Sequence, residues 1–227
     1  MSMRKAVLLM ACTVIVLTSC RMNLKGWSTD LIEASDKVVT KEYKLTPFEE
    51  VEMNCVGQVE LVQSETRNGV VELTAPENYL ELYKFDSDGK ELDISFAKKG
   101  INIHTKNVKI KVYTSDLVRI ENRGAAGISM DGLDTDRIEI VNSGVGDIKI
   151  SGITDDAYLT CSGVGSIRAE GLKALNVKAS VSGVGSIECN ASEEIEGRVS
   201  GVGSLRYSGN PKHQDNKRTG IGSISKM

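Results

Sequence analysis

The pattern of apolar and polar positions repeats in the second half of the chain. The phrases NSGVGDI, CSGVGSI, VSGVGSI, VSGVGSL and RTGIGSI recur between about residue 122 and the C-terminus. Their first glycines are Gly144, Gly163, Gly183, Gly201 and Gly220, preceded by Gly124 of the weaker copy NRGAAGI. The spacings between these first glycines are 20, 19, 20, 18 and 19 residues. Such a period predicts a solenoid in which each repeat is one coil.

Apolar residues keep the same positions within every repeat. Before each first glycine they alternate with polar residues, as at Ile138 and Ile140, which is typical of a half-buried strand. Columns one and four positions after the first glycine are also apolar, and both are expected to face inward. The first column contains Ala125, Val145, Val164, Val184, Val202 and Ile221, and the second contains Ile128, Ile148, Ile167, Ile187, Leu205 and Ile224. Leu133, Ile153 and Leu172 follow a second glycine and are likewise expected to turn inward.

These columns predict an all-β fold, a single-stranded parallel β-helix of about 18 to 20 residues per coil, because one such coil buries its apolar residues only by stacking on its neighbours. We place this domain at residues 43–227, with regular repeats from about 122. The segment VEMNCVGQVEL, Val51 to Leu61, aligns with the repeats when Cys55 takes the position of the first glycine. A right-handed coil follows from the usual rule for parallel crossovers.

The N-terminus has the pattern of a lipoprotein signal. Arg4 and Lys5 precede the apolar run AVLLMACTVIVL, and the small and apolar residues LTS stand directly before Cys20. We therefore predict a signal peptide at residues 1–19 and lipid attachment at Cys20, with residues 20–42 as the lipidated N-terminus and tether. The predicted location is the cell envelope, anchored by this lipid, in the outer membrane. The sequence does not distinguish its periplasmic from its surface face.

Composition narrows the possible partners. Removal of residues 1–19 leaves 208 of 227 residues, and loss of Arg4 and Lys5 changes the net charge from −3 to −5. A mildly acidic domain is unsuited to nucleic acid. Cys55, Cys161 and Cys189 also remain, and this odd number leaves open one disulfide plus a free thiol. Cys161 shares an inward column with Val181 and Val199, which favours a packing role.

A family resemblance covers about residues 43–227. The segments FEEVEMNCVGQVELVQ and VVELTAPENYLELYKFDSDGKELDISF, followed by the SGVG repeats, resemble the bacterial head GIN domain family of auto-transporter adhesins. The resemblance implies a β-helical envelope protein, often lipid-modified, with adhesion inferred from the fold. It supplies no catalytic residue.

Enzyme chemistry has little support in the residue types present. His104 and His213 are the only histidines, and we place His213 in the polar loop GNPKHQDNKRTG. A histidine-based triad or zinc site is therefore disfavoured. The alternative is a lyase-like enzyme that cleaves polysaccharide with acidic residues on a β-helix. Its candidates are Asp131, Asp134, Asp136, Asp155 and Asp156.

Metal and cofactor sites are not predicted. Calcium-binding β-rolls need Asp two places after their glycine, whereas here Asp147 follows Gly146 directly and the same column otherwise contains only serines. A phosphate-binding loop lacks its third glycine and following helix.

Two hydroxyl-rich columns flank the first corner of each coil. The first contains Ser143, Ser162, Ser182, Ser200 and Thr219, and the second contains Asp147, Ser166, Ser186, Ser204 and Ser223. These side chains either satisfy backbone groups of the corner or form a regular surface for a glycan or protein ligand. Together these observations favour a non-enzymatic, lipid-anchored envelope protein, an adhesin or structural module. They leave open whether it forms a homo-oligomer.

Overall fold

The computed structural model describes residues 31–227, of which Ile32–Met227 form one compact unit. This unit is a β-solenoid of about five turns, so the predicted all-β, parallel architecture is confirmed. The predicted signal peptide, Cys20 and the tether up to residue 30 lie outside the described residues. Strand structure within the expected tether begins at Leu31, and Val38–Lys44 extend across the boundary placed at residue 43.

Seventeen strands and one short 3-10 helix make up the described chain. The strands are β1 (Leu31–Ile32), β2 (Val38–Lys44), β3 (Glu50–Met53), β4 (Val56–Gln63), β5 (Val70–Pro76), β6 (Tyr83–Ser87), β7 (Glu91–Phe96), β8 (Asn102–Ile103), β9 (Lys109–Thr114), β10 (Arg119–Asn122), β11 (Ala125–Asn142), β12 (Ile148–Cys161), β13 (Val164–Val181), β14 (Val184–Val199), β15 (Val202–Gly209), β16 (His213–Arg218) and β17 (Ile221–Lys226). The helix η1 is Glu77–Leu82.

Each of the long strands β11 to β14 makes one complete coil. The part that precedes a first glycine forms the approach face, and the part that follows it forms the exit face. Ile148 pairs with Ile128 below and Ile167 above on the exit face, and the register continues through Ile187 and Leu205 to Ile224. Equivalent residues of successive repeats therefore stack directly on one another, as their spacing predicted.

The stacked columns form a continuous apolar core. Ile148, Ile167, Ile187 and Leu205 are fully buried on the exit face, and the alternating residues of the approach face are buried opposite them. Cys161 lies in this core as predicted. Cys55, Cys161 and Cys189 are all buried free thiols, so the described residues contain no disulfide among these three cysteines.

One apolar column and Ile153 are predicted to face the core but lie on the outside of the solenoid. The column one position after the first glycine was expected to face inward, but Val145, Val164, Val184 and Val202 are 53 to 56% exposed and Ile221 is 80% exposed. A valine between two glycines stands at the apex of the corner, where the strand alternation is interrupted. Ile153 is also exposed, because Gly152 pairs with both Leu133 and Leu172 and takes their inward position.

The N-terminal half departs from a simple succession of coils. Met53 pairs with Asn122 and Val56 with Ala125, which confirms that Cys55 occupies the position of the first glycine. However, the coil formed by β3 and β4 is inserted between β7 and β9 on one side and β10 and β11 on the other. β2, β5 and β6 are antiparallel to their neighbours and close this end of the solenoid together with η1.

Candidate binding surface at the first corner

The first corner of successive coils carries a straight row of exposed apolar side chains. We name this row the corner ridge, and it consists of Val145, Val164, Val184, Val202 and Ile221. Neighbouring members are partners in the sheet register and lie about 4.8 Å apart along the solenoid axis. The ridge exposes on the order of 400 Å² of apolar surface, a size that on a monomer is often functional.

Glycines on both sides of each ridge residue allow the coils to stack closely here. A Cβ atom on Gly185 would collide with the carbonyl oxygen of Gly165, and one on Gly203 would collide with that of Gly185. Side chains at these positions would therefore force the coils apart. The sequence SGVGS thus places a β-branched side chain outward on a backbone that has no room for other side chains beside it.

Backbone groups of the corner are satisfied without the serine hydroxyls. Ser162 and Gly163 donate their N–H groups to the carbonyl of Asn142 at 3.0 Å, and Val164 donates to Gly144 at 2.9 Å. The same arrangement recurs at the following corners. The first hydroxyl row is exposed. Within residues 31–227, Ser143 is its one member whose side chain is hydrogen-bonded, donating to the Asn122 carbonyl at 3.2 Å.

The second row is half-buried except for the exposed Ser223, and hydrogen bonds link its first three members, Asp147, Ser166 and Ser186. Asp147 accepts a hydrogen bond from the Ser166 N–H at 2.9 Å and pairs with Arg168 at 2.9 Å. The Ser186 hydroxyl donates to that of Ser166 at 3.0 Å. The structure therefore brings the predicted polar columns together on either side of the corner ridge. The first row is open to a ligand, whereas the second row is partly occupied by contacts between coils.

Buried asparagines fix the first two corners from inside. Asn122 Nδ2 donates to Asn142 Oδ1 and to the Val145 carbonyl, both at 3.1 Å, and Asn142 Nδ2 donates to the Gly146 carbonyl at 2.7 Å. Cys161 takes the equivalent position in the next coil, with Sγ 3.4 Å from the Gly165 carbonyl. The sequence analysis did not predict that these asparagines bind the corner carbonyls, although two polar residues in an inward column indicate such a role.

The buried thiols are not reactive groups. Burial raises the pKa of Cys189 to about 12, and burial together with the nearby Asp93 carboxylate raises that of Cys55 to about 12. Burial also raises the pKa of Cys161. All three thiols therefore stay protonated at neutral pH, which suits packing and excludes thiolate chemistry.

The sheet register places Asp136 of one coil beside Asp155 of the next, between the pairs Thr135–Thr154 and Arg137–Asp156. The Ser151 hydroxyl donates to Asp131 at 2.9 Å, and Asn176 donates to Asp156 at 2.9 Å, while Asp134, Asp136 and Asp155 are exposed. No group of three or more His, Cys, Asp or Glu side chains in the described part of the chain could hold a metal ion. His104 follows β8 and His213 lies in β16, so the polar loop expected around His213 is partly a strand.

A shallow groove of about 460 Å³ crosses the exit face near the closed end, between β4, β9 and β5. Three of the four charged residues that line it are paired, Lys111 with Glu60 and Glu72 with the neighbouring Arg67, both at 2.9 Å, while Lys109 is exposed. The Arg67 guanidinium lies 3.9 Å from the centre of the Tyr113 ring, which covers that aromatic face. The groove is therefore less open to a ligand than the corner ridge.

The fold and this surface define a β-solenoid with a regular, exposed apolar row flanked by hydroxyl groups. Among residues 31–227, no helix is long and apolar enough to cross a bilayer. A family model described as "Putative auto-transporter adhesin, head GIN domain" matches residues 47–211. The chain belongs to this family, which indicates a protein of the cell envelope or cell surface.

Solved structures agree with this assignment. A "putative adhesin" from Bacteroides fragilis is 31% identical, with a TM-score of 0.74 over 86% of this chain and 100% of that one. A "putative adhesin" from Parabacteroides merdae is 20% identical, with a TM-score of 0.54 over 87% of this chain and 99% of that one. A "Putative lipid binding protein" from Parabacteroides distasonis is 20% identical, with a TM-score of 0.52 over 87% and 100%. No curated protein matches the chain.

Proposed function

We propose that this chain is a non-enzymatic, lipid-anchored protein of the bacterial outer membrane that binds a protein partner through the corner ridge. The observation that carries the proposal is the straight row of β-branched side chains, each more than half exposed. An apolar patch of this size equals the largest patch on a typical monomer, which is often functional. Membership of an adhesin family and the lipoprotein-like signal ending at Cys20 support the same reading.

A protein partner fits this surface better than a glycan. Sugar-binding platforms commonly use exposed aromatic rings, whereas Tyr207 is buried and the Tyr158 ring is covered by Arg137, whose guanidinium carbon lies 4.4 Å from the ring centre. The ridge is convex and apolar, so it fits a groove on a folded protein. The open hydroxyl row beside it supplies hydrogen bonds at the rim.

The contact area implies weak single contacts. The ridge contributes on the order of 400 Å², against about 800 Å² per partner in a standard stable interface. Several anchored copies that engage one surface together would bind far more strongly than one copy. We therefore expect weak binding by the monomer and strong binding by multimers.

The test uses beads coated with residues 21–227 and incubated with isolated bacterial envelopes and with host epithelial cells. We expect retention that is abolished by Val164→Asp with Val184→Asp and by protease treatment of the target surface. Ile153→Asp is the matched control, since Ile153 is equally exposed but lies at the second corner.

Three outcomes would contradict the proposal. These are retention no greater than that of beads carrying an unrelated protein, retention unaffected by the ridge substitutions, and retention lost after periodate oxidation of glycans but not after protease. Cleavage of envelope polysaccharides that Asp134→Asn or Asp155→Asn abolishes would instead establish the enzyme alternative.

A further inference from the structure

The two ends of the solenoid are closed to different degrees. At the N-terminal end, β5 and β6 run antiparallel to the coils, β2 pairs antiparallel with β5, and η1 packs beside all three. At the other end, β16 and β17 are the last strands of the approach and exit faces. Within residues 31–227, no strand pairs with their outer edges. Within the described residues, η1 therefore covers one end of the solenoid, where β2 and β6 are the edge strands, and no helix covers the end formed by β16 and β17.

The two open edges differ in charge. β16 has the sequence HQDNKR, and its Gln214, Asn216 and Arg218 stand where β14 has Ile195, Gly197 and Val199. Charged and polar side chains at an edge discourage pairing with another chain. β17 has no charged residue from Ile221 to Ser225, and Ile221 is 80% exposed. Pairing is thus discouraged at β16 and left open at β17.

Backbone groups of β17 point outward at alternate residues. The Met227 N–H donates to the Tyr207 carbonyl of β15 at 2.9 Å, so odd-numbered residues direct their N–H and C=O groups toward β15. Those of Gly222, Ile224 and Lys226 consequently face away from the solenoid. Arg218 Nη1 donates to the Gly222 carbonyl at 2.7 Å. The three outward N–H groups and the carbonyls of Ile224 and Lys226 are positioned for a partner strand.

We propose that β17 pairs with β17 of a second copy, antiparallel and about a two-fold axis through Ile224. Head-to-tail stacking is disfavoured because the edge strands of the opposite end carry charged residues, Lys41, Glu42 and Lys44 in β2 and Lys84 and Asp86 in β6, and η1 packs against both strands. This leaves the symmetric contact. In this register Ile224 lies opposite the partner's Ile224, and Gly222 lies opposite the partner's Lys226. Each outward N–H group of β17 then faces a carbonyl of the partner, with that of Lys226 facing the partner's Gly222 carbonyl, which also accepts from Arg218. No two like charges meet.

Side chains support the same register. Ile221 lies opposite the partner's Met227, so two side chains that are 80 and 51% exposed in the single chain cover each other. Ile224 is only partly buried and packs on the end of the core. The partner's Ile224 would cover it and join the two cores. A six-residue strand pair buries less than the roughly 1,000 Å² of a stable interface, so the dimer dissociates on dilution.

Sedimentation velocity of residues 21–227 over a series of concentrations tests the pairing. This segment contains the compact unit Ile32–Met227, so it is suited to the measurement. We expect a monomer–dimer equilibrium whose dissociation constant rises at least tenfold in Ile221→Lys. Val145→Lys is the matched control, because Val145 is an exposed ridge residue at the far end of the row, and it should leave the equilibrium unchanged.

Disulfide cross-linking tests the register. Ser223 lies opposite the partner's Ser225, so mixing a Ser223→Cys chain with a Ser225→Cys chain under mild oxidation should give a cross-linked pair faster than either chain alone. The native cysteines are buried and should not interfere. A monomer at every concentration, equal weakening by both lysine variants, or cross-linking no faster in the mixture would each overturn the proposal.

Discussion

At the first corner, residues only a few positions apart differ completely in their exposure to solvent. Val184 and Ile187 are both apolar and both recur in every repeat, yet Ile187 is fully buried and Val184 is 56% exposed. Ser186 lies between them with its hydroxyl bonded to Ser166. The consequences of substitution are therefore expected to differ by far more than the residue types suggest.

Ile187→Asp should lower the free energy of unfolding by on the order of 4 kcal/mol, because it buries an unpaired carboxylate between Ile167 and Leu205. Val184→Asp should change it by less than about 1 kcal/mol, since the new side chain remains in water. Urea denaturation of the two variants and the parent chain measures both quantities. Equal destabilisation by the two substitutions would show that the corner ridge is not exposed in solution.

At the scale of the coil, glycines at the first and second corners serve two different physical purposes. Gly185 lies in close contact with the Gly165 carbonyl of the neighbouring coil. Gly132 has φ +74°, and a Cβ there would meet nothing within 4 Å. One glycine is needed for space between coils, and the other for its backbone angle.

Gly185→Ala is expected to destabilise the protein by about 3 kcal/mol or more, because the coils on either side must separate. Gly132→Ala should cost about 1 kcal/mol, the usual penalty for a left-handed residue with a Cβ. Thermal and chemical unfolding of the two variants can be compared directly. A larger loss in Gly132→Ala would mean that backbone angle, and not contact between coils, determines stability at the corners.

Much of the coil could be predicted from the sequence because equivalent residues recur at a fixed period. The inward columns of Ile148 and Ile138, the second glycine and the position of Cys55 all follow from that period. The outward direction of Val164 could not be predicted, since two-residue alternation holds only within a strand and fails at a corner. Six consecutive polar residues likewise hid β16, whose pairing with β14 is determined by the coil beneath it.

The hydroxyl columns were predicted as one surface, and the structure divides them. The first row is exposed around Ser162 and Ser182, whereas Ser166 and Ser186 of the second row are half-buried and bonded to each other. Serine is compatible with both situations. Only the packing of neighbouring coils decides which hydroxyls remain free.

For the whole molecule, attachment to the membrane is a separate prediction from the fold. Replacement of Cys20 by alanine should give a species without lipid that is released from membranes, because Cys20 is the predicted acceptor of the acyl chains. Palmitate labelling and membrane fractionation of the parent and Cys20→Ala cells measure this. Palmitate labelling that persists in the variant would show that Cys20 is not the residue that carries the lipid.

The inserted position of the β3–β4 coil determines the order in which the chain can fold. Met53 pairs with Asn122 on one side and Ile94 on the other, so this coil gains its neighbours only after some seventy further residues are available. The later repeats, in contrast, each pair with a segment about twenty residues away. Local pairing is faster than long-range pairing. We therefore expect the C-terminal repeats to form first during refolding. The β3–β4 coil, although it is synthesised before them, should pair last.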